Sequence, residues 1–230
     1  MLSKYENGLS TPTAEVLCKL AAALGVPLSS LVAEPGVAVE FVAFRKHSTL
    51  RIAEQERIKA EVICQVAGRR KLAAAVGEPQ LNWREFAVSA RSIEDAERHA
   101  VELRDEWKLS RNPIPSLISV MEEQGAEVIV IEAKDGFSGV SAWTAERQPI
   151  AVIQRREQDG ARQRMDLAHE LAHLILAADS AVDSEDYAKR FAGAFILPES
   201  AAISELGRKR SDLRLGELRA IKAKYGISLQ

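Results

Sequence analysis

Little cysteine, few aromatic side chains and no dominant charge narrow what this chain can be. Of its 230 residues only two are cysteine, Cys18 and Cys64, with none of the C-x-x-C spacing of a structural metal knuckle or a redox pair. Both lie in helical, mostly apolar stretches, which predicts buried thiols rather than a disulfide. A disulfide scaffold of the secreted kind is excluded. The 31 basic and 33 acidic side chains leave a formal net charge of −2, so no global field points to nucleic acid or a membrane surface. No apolar run approaches the ~20 residues of a membrane-spanning helix. The opening Met1-Leu2-Ser3-Lys4-Tyr5-Glu6 lacks the apolar core of a secretion signal. What is present is 47% hydrophobic and 28% charged residues, enough for one large domain or two smaller ones. The expectation is an intracellular, soluble, mainly helical protein of the α+β class.

Histidine is also scarce, which gives its distribution weight. Two of the four histidines fall in His169-Glu170-Leu171-Ala172-His173, inside a strongly helical, apolar stretch. At about 3.6 residues per turn, side chains four apart share a helix face, so both imidazoles can reach one ion. Neutral imidazole nitrogens are good zinc ligands. The glutamate after the first histidine can take a proton from water held there, the machinery of metal-assisted peptide hydrolysis. On an exposed helix such a pentapeptide is often only a solvated polar face. Here Leu167, Ala168, Leu171, Ala172, Leu174 and Ile175 make the helix apolar on most sides, and buried polar groups need partners.

A catalytic zinc usually takes three protein ligands. The next acidic cluster is Asp183, Glu185 and Asp186, opening a helix with Ser184 as expected N-cap and Pro198 at its end. The apolar stripe of that helix runs through Ala188, Phe191, Ala192 and Phe195. Extended backwards it meets Glu185, whereas Asp186 is rotated by about 100° toward solvent. Glu185 is therefore the candidate third ligand and Asp183 the reserve. The alternative is that Glu185 merely favours the positive end of the helix dipole.

Three stretches organise the chain. In residues 1–33, Thr11-Pro12 opens a helix with threonine as N-cap, Gly25 closes it, and residues 26–31 make a second turn. Residues 34–85 begin with the linker signal Glu34-Pro35-Gly36, continue as a short strand over 37–44 and then as a long connecting helix from about 48 to 75. Its Arg51, Arg57, Arg69, Arg70 and Lys71 form either a solvated face or a phosphate-binding one. Residues 86–230 read as helix, helix, strand, strand, motif helix, ligand helix and terminal helix, the strands being 128–131 and 149–153.

Ser3-Lys4-Tyr5-Glu6-Asn7-Gly8, Thr11-Pro12 and Leu20 to Val26 resemble the C-terminal half of an XRE-type helix-turn-helix domain. Most of the recognition helix of that family would precede Met1. Residues 1–33 carry two lysines, no arginine and two glutamates, so phosphate contacts are not evident. The expectation is a truncated all-α remnant, with DNA binding possible through a complete N-terminal domain and doubtful in this chain. Further along, Asp135 to Gly139, Pro149 to Ile153, Arg162-Gln163-Arg164, His169 to His173, and Glu185-x-x-Ala188-x-x-Phe191-Ala192 through Leu197-Pro198 resemble the ImmA/IrrE metallopeptidases. Glu94 to Glu97, Leu103 to Trp107 and Asn112 to Ile114 extend that resemblance upstream, to about residues 86–226.

The resemblance implies a zincin-like metallopeptidase domain with a small antiparallel or mixed sheet. It implies a zinc-dependent cytoplasmic endopeptidase that cuts a repressor or antitoxin-type partner and thereby derepresses transcription. His169, His173 and Glu185 match the family's metal ligands and Glu170 its general base. Lys189 and Gln154 stand where the family often has asparagine, and the chain looks clipped at both ends. Candidate oxyanion donors are Tyr187, Arg162 and Arg164, although the arginines also suit a structural role at the helix start. The strand 149–153 is either a core strand or a place where an extended substrate pairs. The alternative function is a DNA-associated regulator whose zinc domain binds a partner or signal without cutting it.

Overall fold

The computed structural model describes residues 2–6, 9–26, 28, 31, 37–42, 50–77, 83–134, 136–157, 159–209 and 212–228. The chain forms two compact units, Met1–Gly36 and Val37–Gln230. In the first, α1 is Leu2–Glu6 and α2 is Ala14–Leu24. Thr13, not Thr11, is the N-cap of α2, its hydroxyl accepting from the Val16 amide. Pro12 thus lies before the cap rather than at the first helical position. Gly25 ends α2 at φ 67°, a left-handed conformation that suits glycine. Among the described residues of this unit only Ala21 is buried. Half of the expected turn over 26–31, the linker 34–36 and the strand end 43–44 lie outside the described residues.

The second unit is a sheet covered on both faces. Its elements are β1 (Val39–Phe41), α3 (Ile52–Val76), α4 (Asp95–Glu106), α5 (Leu117–Glu123), β2 (Glu127–Ile131), β3 (Gly139–Thr144), β4 (Pro149–Gln154), α6 (Gly160–Ile175), α7 (Ser184–Ile196), α8 (Glu199–Leu206) and α9 (Leu215–Tyr225). The sheet order is β1-β3-β4-β2, antiparallel across β1/β3 and β3/β4 and parallel across β4/β2. Strand alternation divides the core. Ala151 and Ile153 of β4 with Val128 of β2 face the helices α4 to α7. Ile150 and Val152 of β4, Ile129 and Ile131 of β2, and Val140 and Ala142 of β3 face the opposite way, onto Ile58, Val62 and Val66 of α3.

The stretch expected to connect two domains is therefore built into the second. β1 pairs with β3, Phe41 lying opposite Ala142, and α3 closes one face of the sheet. Of its basic residues Arg51, Arg57, Arg69 and Lys71 are exposed and Arg70 is half-buried, and two of them make several hydrogen bonds. Arg57 donates to Glu54, Glu61 and the Glu132 carbonyl, and Arg70 to Glu146 and Gln148. Cys18 and Cys64 are exposed rather than buried. The buried face of α3 runs through 58, 62 and 66, and Cys64 is turned away from it by about 200°. No helix among the described residues is long and apolar enough to cross a membrane.

Two helices of the second unit are joined by residues 176–183, and a short extended segment is stitched to that joint. The Val88 amide donates to the Ile175 carbonyl, Ala177 donates to Val88, and Ala181 donates to Ala90. Ser89 Oγ donates to Asp179 and the Ala90 amide to Ser180 Oγ, at 2.9 and 3.1 Å. These bonds set the spacing between the end of α6 and the start of α7.

Candidate metal centre

Helix α6 starts at Asp159, whose side chain accepts from the Arg162 amide. It packs against β3 and β4 on one side and α7 on the other, so from Leu167 to Ile175 almost every side chain is buried. His169 and His173 lie one turn apart on its remaining face, with their Nε2 atoms 3.1 Å from each other. Helix α7 brings the third group. Its N-cap is Asp183 rather than Ser184, because the Asp183 carboxylate accepts from the Glu185 and Asp186 amides at 3.0 Å. That cap occupies the reserve candidate and leaves it outside the donor cluster. Glu185 points inward on the buried stripe and Asp186 outward. Glu185 Oε2 is 3.3 Å from His169 Nε2, and Oε1 is 3.3 Å from His173 Nε2. These three residues are the described group able to hold a metal ion.

The donor set suits a zinc-sized ion. Ligands about 2.0–2.1 Å from a tetrahedral centre lie roughly 3.3 Å from one another, and the three pairs here are 3.1–3.3 Å apart. Burial holds the His169 ring below its usual titration range, against the pull of Glu185. Burial and the neighbouring His169 together hold His173 below it too. Both rings are thus neutral near pH 7, the form that offers a lone pair.

Glu170 sits beside them, only 5% exposed. Burial pushes its carboxyl up to about 8, opposed by a hydrogen bond from Ser141 and assisted by the negative charges of Glu185 and Asp166. Ser141 Oγ lies 2.6 Å from Glu170 Oε2 and 3.0 Å from the Glu170 carbonyl. The other oxygen, Oε1, lies over Gly139: a Cβ there would come within 2.5 Å of it. Strand alternation turns Gly139 and Ser141 to the same face of β3, the face that meets α6. The group opens into a cleft of about 480 Å³ whose walls include Gly136 to Gly139, Arg162, Met165, Lys189 and Ala192.

A helix-turn-helix family model matches residues 1–31. The model of the IrrE N-terminal-like domain, a peptidase family, matches residues 121–230. No curated protein matches the chain. The IrrE N-terminal-like match takes in all three donor residues, Glu170, β2 to β4 and the helices that follow. It begins at Met121, so the upstream segments at 94–97, 103–107 and 112–114 lie outside it.

Within residues 121–230 several expected contributors do something else. Tyr187 is fully buried and bonds His99 Nδ1 at 2.8 Å through its hydroxyl, away from the cleft. Arg164 donates to the Ile114 and Pro115 carbonyls, which fixes the start of α6 against the preceding loop. Arg162 does line the cleft, donating through Nε to Asp166 at 3.2 Å. Strand β4 is flanked by β3 and β2 and has no open edge for a substrate. Ser141 and Gly139 were the site residues that sequence reasoning missed. Their signal was faint: an alternation through 139–144 placing both on one face.

Proposed function

We propose that this chain is a zinc-dependent endopeptidase that works in the cytoplasm on a repressor or antitoxin-type protein and so derepresses transcription. The observation that carries this reading is the triangle of His169, His173 and Glu185 donors, spaced 3.1–3.3 Å, with the Glu170 carboxylate alongside. Zn²⁺ held by those three side chains would supply Lewis acidity to an attacking water and to the scissile carbonyl. With the charge of a bound Zn²⁺ opposing the burial that raises its carboxyl, Glu170 would be ionised, accept the proton of that water as the carbonyl is attacked and return it to the leaving amine. Ser141 donates to Oε2, which leaves Oε1 as the oxygen facing the reacting atoms.

The decisive comparison is Glu170→Gln against the parent protein, both loaded with Zn²⁺ and incubated with a co-encoded repressor. The variant is expected to keep its metal and lose ~10²–10⁴-fold in cleavage rate. Full activity in the variant would remove the general base from this account. The helix-turn-helix match over 1–31 favours a second reading, a DNA-associated regulator that binds a partner without cutting it. In that case the repressor stays intact and only its DNA complex changes in a mobility-shift measurement.

A further inference from the structure

We infer that the cleft selects an acidic side chain in the peptide it binds, with Lys189 and Arg162 as the specificity-determining residues. This rests on the peptidase reading above and adds the substrate class.

Among the described residues the anionic groups of the cleft are all engaged. Glu185 faces both imidazoles, Glu170 is bonded by Ser141, and Asp166 is shared between Arg156 and Arg162. The charges left over among the described residues are positive, on Arg162 and Lys189. Arg162 spends only its Nε on Asp166, so its terminal amino groups have no partner among the described residues. Lys189 has one long contact, 3.4 Å to Asp186, and both side chains of that pair are more than half exposed, at 67% and 59%. An ion pair so open to water is weak and easily exchanged for a better one.

Their positions put them within reach of a bound peptide. Lys189 follows Glu185 by one helical turn, a rise of about 6 Å, and Arg162 precedes His169 by two turns, about 10 Å. An extended peptide advances about 3.3 Å per residue. The two cations therefore stand roughly two and three substrate residues from the donor group. A concave wall concentrates their field on whatever lies in the cleft.

The test is a binding measurement independent of turnover. Zn²⁺-loaded Glu170→Gln protein is titrated with labelled decapeptides that differ only in Glu, Gln or Lys at one scanned position. At one or two positions Glu is expected to bind about two- to fivefold tighter than Gln, and the advantage shrinks as salt rises above ~0.15 M. Lys189→Glu in the same background is expected to invert the order so that Lys binds tighter, and Arg162→Gln to reduce the Glu advantage. Equal binding of Glu and Gln, no binding by any peptide, or an order that Lys189→Glu leaves unmoved would overturn the inference. Cleavage by the parent protein is scored separately. A peptidase indifferent to acidic residues and an acidic-peptide binder that does not cut are thereby told apart.

Discussion

A Cβ at residue 139 would stand 2.5 Å from Glu170 Oε1 and 2.8 Å from its Cγ, closer than any real contact. Gly139→Ala must therefore displace the Glu170 carboxylate, since β3 is held on its other side by β4. The expected outcome is at least a roughly tenfold fall in kcat with the bound zinc retained, read by steady-state kinetics and metal analysis side by side. Ser141→Ala removes the bond that fixes the rotation of that carboxylate. Its signature is a drop in kcat of about tenfold with KM and metal content unchanged; a change confined to KM would assign Ser141 to substrate binding instead. Glu185 was legible because the stripe through 188, 191, 192 and 195 has a fixed helical period, and the donor sits in phase with it. Ser141 was not legible. Its partner lies 29 residues away on another element, and no local pattern encodes that meeting.

At the scale of elements, α7 is held from behind as well as from the cleft. Tyr187 follows Glu185 by two residues and is bonded to His99 on α4, both side chains being buried. Tyr187→Phe leaves the His99 ring without its partner and is expected to destabilise the fold by about 1–3 kcal/mol in denaturant unfolding. His99 also gives the element a pH dependence. Burial, with the neighbouring Arg98, holds its ring below the usual range against Glu102 and Asp95. As pH falls, the unfolded chain therefore takes up the proton first. The stabilisation is complete above about pH 6.5 and is lost as pH drops through that value toward the lower folded pKa. His169 and His173 shift in the same sense. The contribution of His99 is isolated by the gap in unfolding free energy between the parent and His99→Gln, which should narrow from pH 7.5 to 5. Element reading from sequence succeeded where periods were long or β-branched. It missed β3, whose Gly139-Val140-Ser141-Ala142 start has one β-branched residue in four, and it missed α8, a helix of eight residues directly behind Pro198. Helix α3 was recognised as a helix but placed as a connector, because its buried residues are few and its charges surround them on all sides.

For the whole molecule, the position of α3 decides where a stable fragment can begin. Ile58, Val62 and Val66 are each fully buried against the sheet. At about 1.5–3 kcal/mol for each such side chain, their loss removes roughly 5–9 kcal/mol, the size of a typical domain's entire stability. A fragment of residues 37–230 is expected to unfold cooperatively and to bind zinc. One of residues 86–230, cut where the sequence alone placed the boundary, is expected to aggregate or to unfold without a transition in circular dichroism. Equal stability of the two would show that α3 and β1 are dispensable.

The seam between residues 88–90 and 175–181 has a further thermodynamic meaning. It ties down the joint on either side of which the two imidazoles and the carboxylate are mounted, so the seam and a seated cation would hold the same spacing and support one another. Coupling of this kind is reciprocal. Whatever loosens Ser89 from Asp179 would weaken the grip on the cation by the same factor by which chelation strengthens that seam. A residue that never approaches the reacting atoms would in this way tune how readily the centre is filled.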